Sequence, residues 1–554
     1  MIGSVASLAY GTSGLVLGYA AVAAPLVAGM VRHGAPLRRL LAAPLYAVPA
    51  TLAAGVALSM VAAIGGALGV SLGEGALSLA VGAGASAGIG YLTGRLLAKP
   101  RATGAEHRRG TVVRELEPRG KAAFGPGHGV EGAVRGISIA GVPVREADES
   151  KHFKILGTTG TGKSTAITEI LAAALRRGDR AVIADPDGGY RRRFFNAQRG
   201  DVILNPFEQT SRKWDLFGEI QTPYDVEQLA RSLIPDHEGA DRSWRGYART
   251  FFTSVTRRAH EAGVDDVGEL HRLLVLAPPR ELRALLAGTA AQPFLEEDNS
   301  RMFDSIRSVT SSAVTALEYV GQQTQRKFSV REWTRAAGES GSQGVLFIPY
   351  KAGQIAALRS QISAWMRLSM FEAMNEPRQQ RLWFVVDELD AVGQIDGLKD
   401  ALARLRKFGG RCVLGFQSVA QVSGTYGQAE AHTLVENCGN SLILRSSASE
   451  GGGTARFASS LIGDREVLRT LHSRSRRPLE VIGVQTTSHQ VSVESAILPS
   501  QIEQLPDLCG YLKLASRPEW LRVELRPNRE AEADRDHGSR VNQPEVRNAH
   551  DHEL

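Results

Sequence analysis

The stretch GTTGTGKST, Gly157–Thr165, fits G-x-x-x-x-G-K-[ST] at every position, and no other segment limits the fold so sharply. Such a loop works only between a strand and a helix. The flanking residues supply both: His152–Leu156 reads as a short strand, and Ser164 to about Leu175 as a helix. Glycine is needed because a Cβ would obstruct backbone N–H groups curling round phosphate oxygens. The helix N-terminus adds partial positive charge. Gly157, Thr158, Thr159, Gly160, Thr161, Gly162, Lys163, Ser164 and Thr165 are therefore the candidate nucleotide contacts. Lys163 is placed to reach the β- and γ-phosphates of ATP, and the Ser164 hydroxyl to take a position on Mg²⁺.

Hydrolysis needs a second strand that ends in an acid. RLWFVVDELD, Arg381–Asp390, provides it: Leu382–Val386 is an unbroken apolar run, as expected of a strand buried on both faces. Asp387 then holds Mg²⁺ through water, and Glu388 is the base that orients and deprotonates the attacking water. A further apolar run, RAVIADPDGGY, places Asp185 at a strand's carboxyl end, either at the ligand edge or as a turn residue. GVLFIPY (Gly344–Tyr350), a helix over Ala357–Met374, the Asp387 strand, a helix around Leu398–Phe408 and RCVLGFQS (Arg411–Ser418) form a βαβ series. That series predicts a largely parallel sheet. Gln417 ends the last strand, where an amide can sense the γ-phosphate.

From about Thr222 to Tyr319 the spacing is helical and no strand is expected, so an all-α insertion interrupts the α/β domain. Arg242, Arg245 and Arg249 share roughly one face of a helix there. They are either a solvated face or contacts to an acidic polymer. The chain has 554 residues and a net charge of +7, with a pI of about 9.3, which suits nucleic acid or an anionic membrane surface. Cys412, Cys438 and Cys509 lie far apart without C-x-x-C spacing, which argues against a disulfide framework or zinc site.

Met1–Val31 carries no charged residue, and between Arg39 and Arg95 only Glu74 is charged. Leu40–Gly73 and Gly75–Gly94 are each long enough to cross a bilayer, and the second is rich in small residues that permit close helix packing. The basic loop at Arg32–Arg39 and the segment from Arg95 to Arg101 are expected on the cytoplasmic side, with the Glu74 turn outside. The expected organisation is a transmembrane anchor of two to three helices over 1–98 and a nucleotide-binding domain over 99–221 and 327–525. The all-α domain covers 222–326, and a disordered, charged tail covers 526–554.

Together GTTGTGKST, ILNPF followed by WDLF, DELDAVGQIDGLKDALARLRKFGGRCVLGFQS and LPSQIEQLPDLCGYLKLA resemble the type IV coupling proteins of bacterial conjugation and type IV secretion, in particular their TraD/TrwB-like branch. The likeness runs from the N-terminal segments to about Leu525. It implies a RecA-like P-loop ATPase core with an inserted all-helical domain and N-terminal transmembrane helices, assembled as a homo-hexamer in the bacterial inner membrane with its ATPase domain in the cytoplasm. It further implies ATP and Mg²⁺ as cofactors. The implied partners are single-stranded DNA bound without sequence preference, a relaxase or relaxosome, and the channel proteins of a type IV secretion system. In this likeness Gln417 matches a sensing glutamine and Arg406 an arginine finger for a neighbouring subunit, with Arg404 and Arg411 close beside it. The family's usual periplasmic segment has no counterpart of comparable length at Glu74. A coupling receptor that recruits protein effectors would share the same ring and anchor. An ABC-type exporter would need an LSGGQ-like signature before the Asp387 strand, and none occurs.

Overall fold

The computed structural model describes residues 2–33, 35, 37–67, 76–98, 106–116, 136–236, 242–336, 343–375, 381–448, 453–475 and 484–527. The chain divides into two compact units, Met1–Glu106 with Leu468–Val491, and His107–Val467 with Ser492–Leu554. The turn expected at Glu74, most of the basic linker and nearly all of the charged tail lie outside the described residues.

Among the described residues the first unit has three long helices, α1 (Ile2–Arg32), α2 (Ala43–Ala67) and α3 (Ala76–Ala98), with a short turn of helix, Leu37–Leu41, between the first two. Glycine sets how closely α1 and α3 approach. A Cβ on Gly90 would lie 2.3 Å from the Val22 carbonyl oxygen, and one on Gly94 would lie 2.2 Å from that of Leu26. Backbone therefore meets backbone, as small residues allow. Val22, Leu26 and Met30 are buried in this packing, while Val16, Leu17, Leu45, Leu52 and Val56 point outward. Among the described residues no helix is long and apolar enough to cross a membrane. The expected crossings are therefore not shown by these helices.

The second unit is built on a ten-stranded sheet. Its strands are β1 (Val113–Glu115), β2 (Phe153–Leu156), β3 (Arg180–Pro186), β4 (Val202–Ile203), β5 (Val345–Tyr350), β6 (Leu382–Val386), β7 (Gly410–Phe416), β8 (Asn440–Leu444), β9 (Cys509–Lys513) and β10 (Trp520–Glu524). The order is β1-β10-β9-β8-β2-β7-β6-β3-β5-β4. From β8 to β4 every pairing is parallel, and β9 and β10 extend the sheet antiparallel. Residues of β2, β5, β6 and β7 are buried on both faces, which explains their continuous apolar runs.

Helix α4 (Lys163–Arg176) covers one face, with Ile167, Ile170 and Leu171 packed against Ile155, Ile183 and Val385. The short helix α5 (Gly189–Phe194) follows β3. On the other face one apolar cluster continues from the sheet into the helical insertion, whose long elements are α6 (Pro223–Leu233), α7 (Arg242–Glu261) and α8 (Ser300–Gln322). Trp214 and Trp365 meet edge to face at its centre, 5.8 Å between centroids. Lys213–Trp214 pairs in parallel with Lys327–Phe328, so the chain leaves and rejoins the α/β core at one place. Helices α9 (Ile355–Ala373) and α10 (Leu398–Leu405) complete the βαβ series. The strand β8, the antiparallel pair β9–β10 and the strands Asp464–Ser475 and Val484–Ser495 were not anticipated from the sequence.

Candidate functional site

All parallel strands present their carboxyl ends to one edge, and the loop Gly157–Gly162 lies there between β2 and α4. The loop hangs from its neighbours: Gly157 N–H donates to the Phe416 carbonyl (3.2 Å) and Thr158 N–H to that of Arg445 (2.9 Å). Gly160 and Gly162 have φ of 79° and 114°, the left-handed region that glycine occupies without strain. A Cβ on Gly157 would sit 2.7 Å from Thr161 Oγ1 and 2.8 Å from Leu444 Cβ. Thr159 and Gly160 form an exposed crest, Thr161 is buried, Thr165 is half-buried, and Ser164 is exposed at the start of α4.

The sheet's antiparallel extension braces the loop from outside. Leu508 N–H donates to the Thr161 carbonyl (3.0 Å), and Leu525 N–H donates to that of Leu508 (2.7 Å). Leu508 itself has φ of 65°, unusual for a side-chain-bearing residue.

Lys163 is buried and donates from Nζ to the carbonyls of Gly157 (2.8 Å) and Thr158 (3.2 Å). Desolvation lowers its pKa, opposed by the charges of Asp387, Glu388 and Asp390. It therefore curls back on its own loop, where a phosphate would offer better acceptors.

Asp387 and Glu388 follow the last residue of β6. Asp387 Oδ2 accepts from Ser164 Oγ at 2.7 Å, which ties the loop to the acidic strand. The same oxygen accepts from Tyr190 OH at 2.7 Å, whereas Oδ1 is buried and has no hydrogen-bond partner among the described residues. Glu388 Oε1 accepts from Gln417 Nε2 at 3.0 Å. Burial pushes the Glu388 carboxyl above its ordinary pKa. A Cβ on Gly415 would lie 2.2 Å from the Asp387 carbonyl oxygen, so only glycine lets β7 come this close.

The structure thus brings together Gly157–Thr165, Asp387, Glu388 and Gln417. It does not bring Arg406 to them. Arg406 opens a single turn, Arg406–Phe408, just before β7 begins, at the amino edge of the sheet, and its side chain is exposed. Arg404 is also exposed, but Arg411 is not a rival for an intersubunit role. It is buried and donates to Glu149 Oε2 (2.9 Å) and to the Gly409 carbonyl (2.7 Å).

Asp185 is a turn-stabilising acceptor, taking the N–H groups of Tyr190 (3.0 Å) and Arg191 (2.7 Å), and burial raises its pKa to about 6. Of the three arginines on α7, Arg249 pairs with Asp236 (2.5 Å) and Arg245 reaches the Pro235 carbonyl (3.4 Å), while Arg242 is exposed. Tyr190 was missed in the sequence. The available signal was the Gly188–Gly189 pair after β3, which turns the chain back over the sheet edge.

The residues present fit a Mg²⁺-nucleotide. Loop glycines, a buried lysine and an orphaned carboxylate oxygen converge on one point. Among the described residues no group of three or more His, Cys, Asp or Glu could hold a metal by itself. A cation whose shell is made of one hydroxyl, phosphate oxygens and water, with that water held by a carboxylate, suits Mg²⁺, which keeps several of its waters.

Residues 136–526 match the family described as the type IV secretion-system coupling protein DNA-binding domain. Coupling protein TraD of Escherichia coli (strain K12) is 31% identical over 388 residues, covering 69% of this chain. This chain spans about half of TraD's length (54%). Plasmid coupling protein TrwB in complex with the non-hydrolysable ATP analogue ADPNP superposes with a TM-score of 0.65 at 29% identity, covering 76% of this chain and 95% of that one. TrwB in complex with ADP and Mg²⁺ gives a TM-score of 0.62 at 30% identity, covering 71% and 89%.

Proposed function

This chain belongs to the type IV secretion-system coupling proteins, and from that membership we propose that it is an ATP hydrolase that uses turnover to move DNA into a type IV secretion channel during conjugation. The observation that carries the nucleotide part of this reading is the 2.7 Å hydrogen bond from Ser164 Oγ to Asp387 Oδ2, which closes the nucleotide loop onto the acidic strand, and the DNA part rests on the family match. The TrwB complexes with ADPNP and with ADP and Mg²⁺ support the same ligands here.

Ser164 and, through water, Asp387 would hold Mg²⁺, which would supply neutralisation of phosphate charge. Lys163 exchanges the carbonyls of Gly157 and Thr158 for phosphate oxygens. Glu388 orients the attacking water and takes its proton, and its desolvated carboxyl is a stronger base for that reason. Gln417, already bonded to Glu388, links the base to the state of the γ-phosphate. Arg406 of a neighbouring copy stabilises charge in the transition state; such fingers contribute roughly 10³–10⁵ in rate.

The proposed setting is a homo-hexamer at the bacterial inner membrane. Its ATPase domain is cytoplasmic and receives a relaxase-bound single strand for the channel. The charge-free segments before Arg95 and the outward-facing Val16, Leu17, Leu45, Leu52 and Val56 support a lipid-embedded anchor. DNA would be gripped by its backbone, so binding should weaken as salt rises.

The test is ATP turnover by the detergent-solubilised full chain without DNA, with single-stranded DNA and with duplex. We expect single-stranded DNA to stimulate turnover. Lys163→Ala abolishes it, and Glu388→Gln keeps nucleotide affinity while turnover falls by about 10²-fold or more. Turnover by assembled protein that ignores DNA would reject the DNA motor in favour of a receptor for protein effectors.

A further inference from the structure

We infer that Tyr190 is a positioning residue for the metal-side carboxylate, its hydroxyl fixing Asp387 so that one oxygen meets Ser164 and the other is left for a cation's water shell. The inference deepens the ATP reading above and rests on it.

Tyr190 is buried in the apolar cluster on the α4 face of the sheet, so its ring is held. Its hydroxyl and that of Ser164 both donate to Asp387 Oδ2, each at 2.7 Å. Because Oδ2 takes both donors, Oδ1 remains the open acceptor, buried and without a hydrogen-bond partner among the described residues.

The backbone of Tyr190 is fixed from the opposite side. Asp185, at the end of β3, accepts the N–H groups of Tyr190 and Arg191. Gly188, with φ of 66°, makes the turn that brings them there. A relay thus runs Asp185–Tyr190–Asp387–Ser164 and joins the ends of β3 and β6 to the nucleotide loop.

The terminal torsion of an aspartate is broad and nearly two-fold. One hydroxyl donor from the loop would leave the carboxylate free to turn. A second donor on a packed ring removes that freedom. A phenol is neutral, so the carboxylate keeps its charge for the cation. Outer-shell partners of this kind typically contribute 10–100-fold to metal affinity.

Tyr190→Phe in the full-length chain removes the hydroxyl and keeps the ring. The readout is binding of a fluorescent ADP derivative, measured in EDTA and across a Mg²⁺ titration. We expect the half-saturating Mg²⁺ concentration to rise by about tenfold, with affinity in EDTA within about twofold of wild type. Turnover should fall at limiting Mg²⁺ and return at saturating Mg²⁺. An unchanged Mg²⁺ titration overturns the inference. So does an equal loss of affinity with and without Mg²⁺, which would make Tyr190 a packing residue. Wild-type binding indifferent to Mg²⁺ would instead reject the ATP reading itself.

Discussion

Asp387 and Glu388 are adjacent in sequence, yet their surroundings separate them. Asp387 takes two hydroxyl donors on one oxygen, whereas Glu388 takes a single amide. The sequence shows both acids but not this division, because Ser164, Tyr190 and Gln417 arrive from three other strand ends. His152 shows the same dependence on distant partners. Its Nδ1 accepts the Cys412 N–H at 3.0 Å, so Nε2 must carry the proton and donate to the Leu402 carbonyl at 2.8 Å. The ring is therefore neutral, and burial pushes its pKa down to about 4 from 6.5. Above pH 6.5 neither folded nor unfolded chain protonates it, and its contribution is complete. As pH falls through 6.5 the unfolded chain takes up the proton and the folded chain resists. Stability should then drop by about 2 kcal/mol by pH 5 and about 3 kcal/mol below pH 4. Asparagine tolerates the left-handed backbone at this position (φ 58°). His152→Asn should be less stable at pH 7.5 but lose less on acidification, as read from urea unfolding at both pH values. Equal pH slopes for the two proteins would reject this account.

At the scale of elements, the joint between the α/β core and its helical insertion rests on one buried carboxylate. Glu219 accepts from Trp214 Nε1 (3.0 Å) on the outgoing segment. On the returning segment it accepts from Ser329 Oγ (3.1 Å) and the N–H groups of Val330 (2.7 Å) and Arg331 (3.1 Å). Arg331 also pairs with Asp225 at the first turn of α6. Removing Glu219 leaves several buried donors unsatisfied at once. Glu219→Ala should lower stability by about 3 kcal/mol or more. It should also speed limited proteolysis within α6–α8 before the nucleotide core is cut; simultaneous cleavage of both would refute the joint.

Little of this joint was legible, since Glu219 in sequence is only an acid after WDLF. Strands β2, β3, β5, β6 and β7 were legible because burial on both faces leaves unbroken apolar runs. The strand β8 was not, because SLIL becomes a strand by pairing with β2, Leu442 beside Ile155, far away in the chain. The arginines of α7 show the converse limit. Their spacing revealed a shared face, but Arg249 is already paired with Asp236.

At the scale of the whole molecule, the two ends of the sheet pose the remaining problem. The nucleotide loop sits at the carboxyl edge, and Arg406 precedes β7 at the amino edge. Strands of this length keep those edges apart within one chain, so Arg406 cannot serve its own loop. A ring solves this if the amino edge of one copy faces the carboxyl edge of the next, a heterologous contact that closes by rotation. Lys163→Ala and Arg406→Ala then damage opposite sides of one interface, and each homomer should be inactive. In a random equal mixture, about a quarter of the interfaces join an intact loop to an intact Arg406. Mixing subunits of the two inactive proteins before assembly should therefore restore turnover to the order of a quarter of wild type. The exposed Arg404 provides the control, and Arg404→Ala should stay within about twofold of wild type. Mixed rings that form, as judged by co-purification of differently tagged subunits, yet remain inactive would reject Arg406 as the residue supplied in trans.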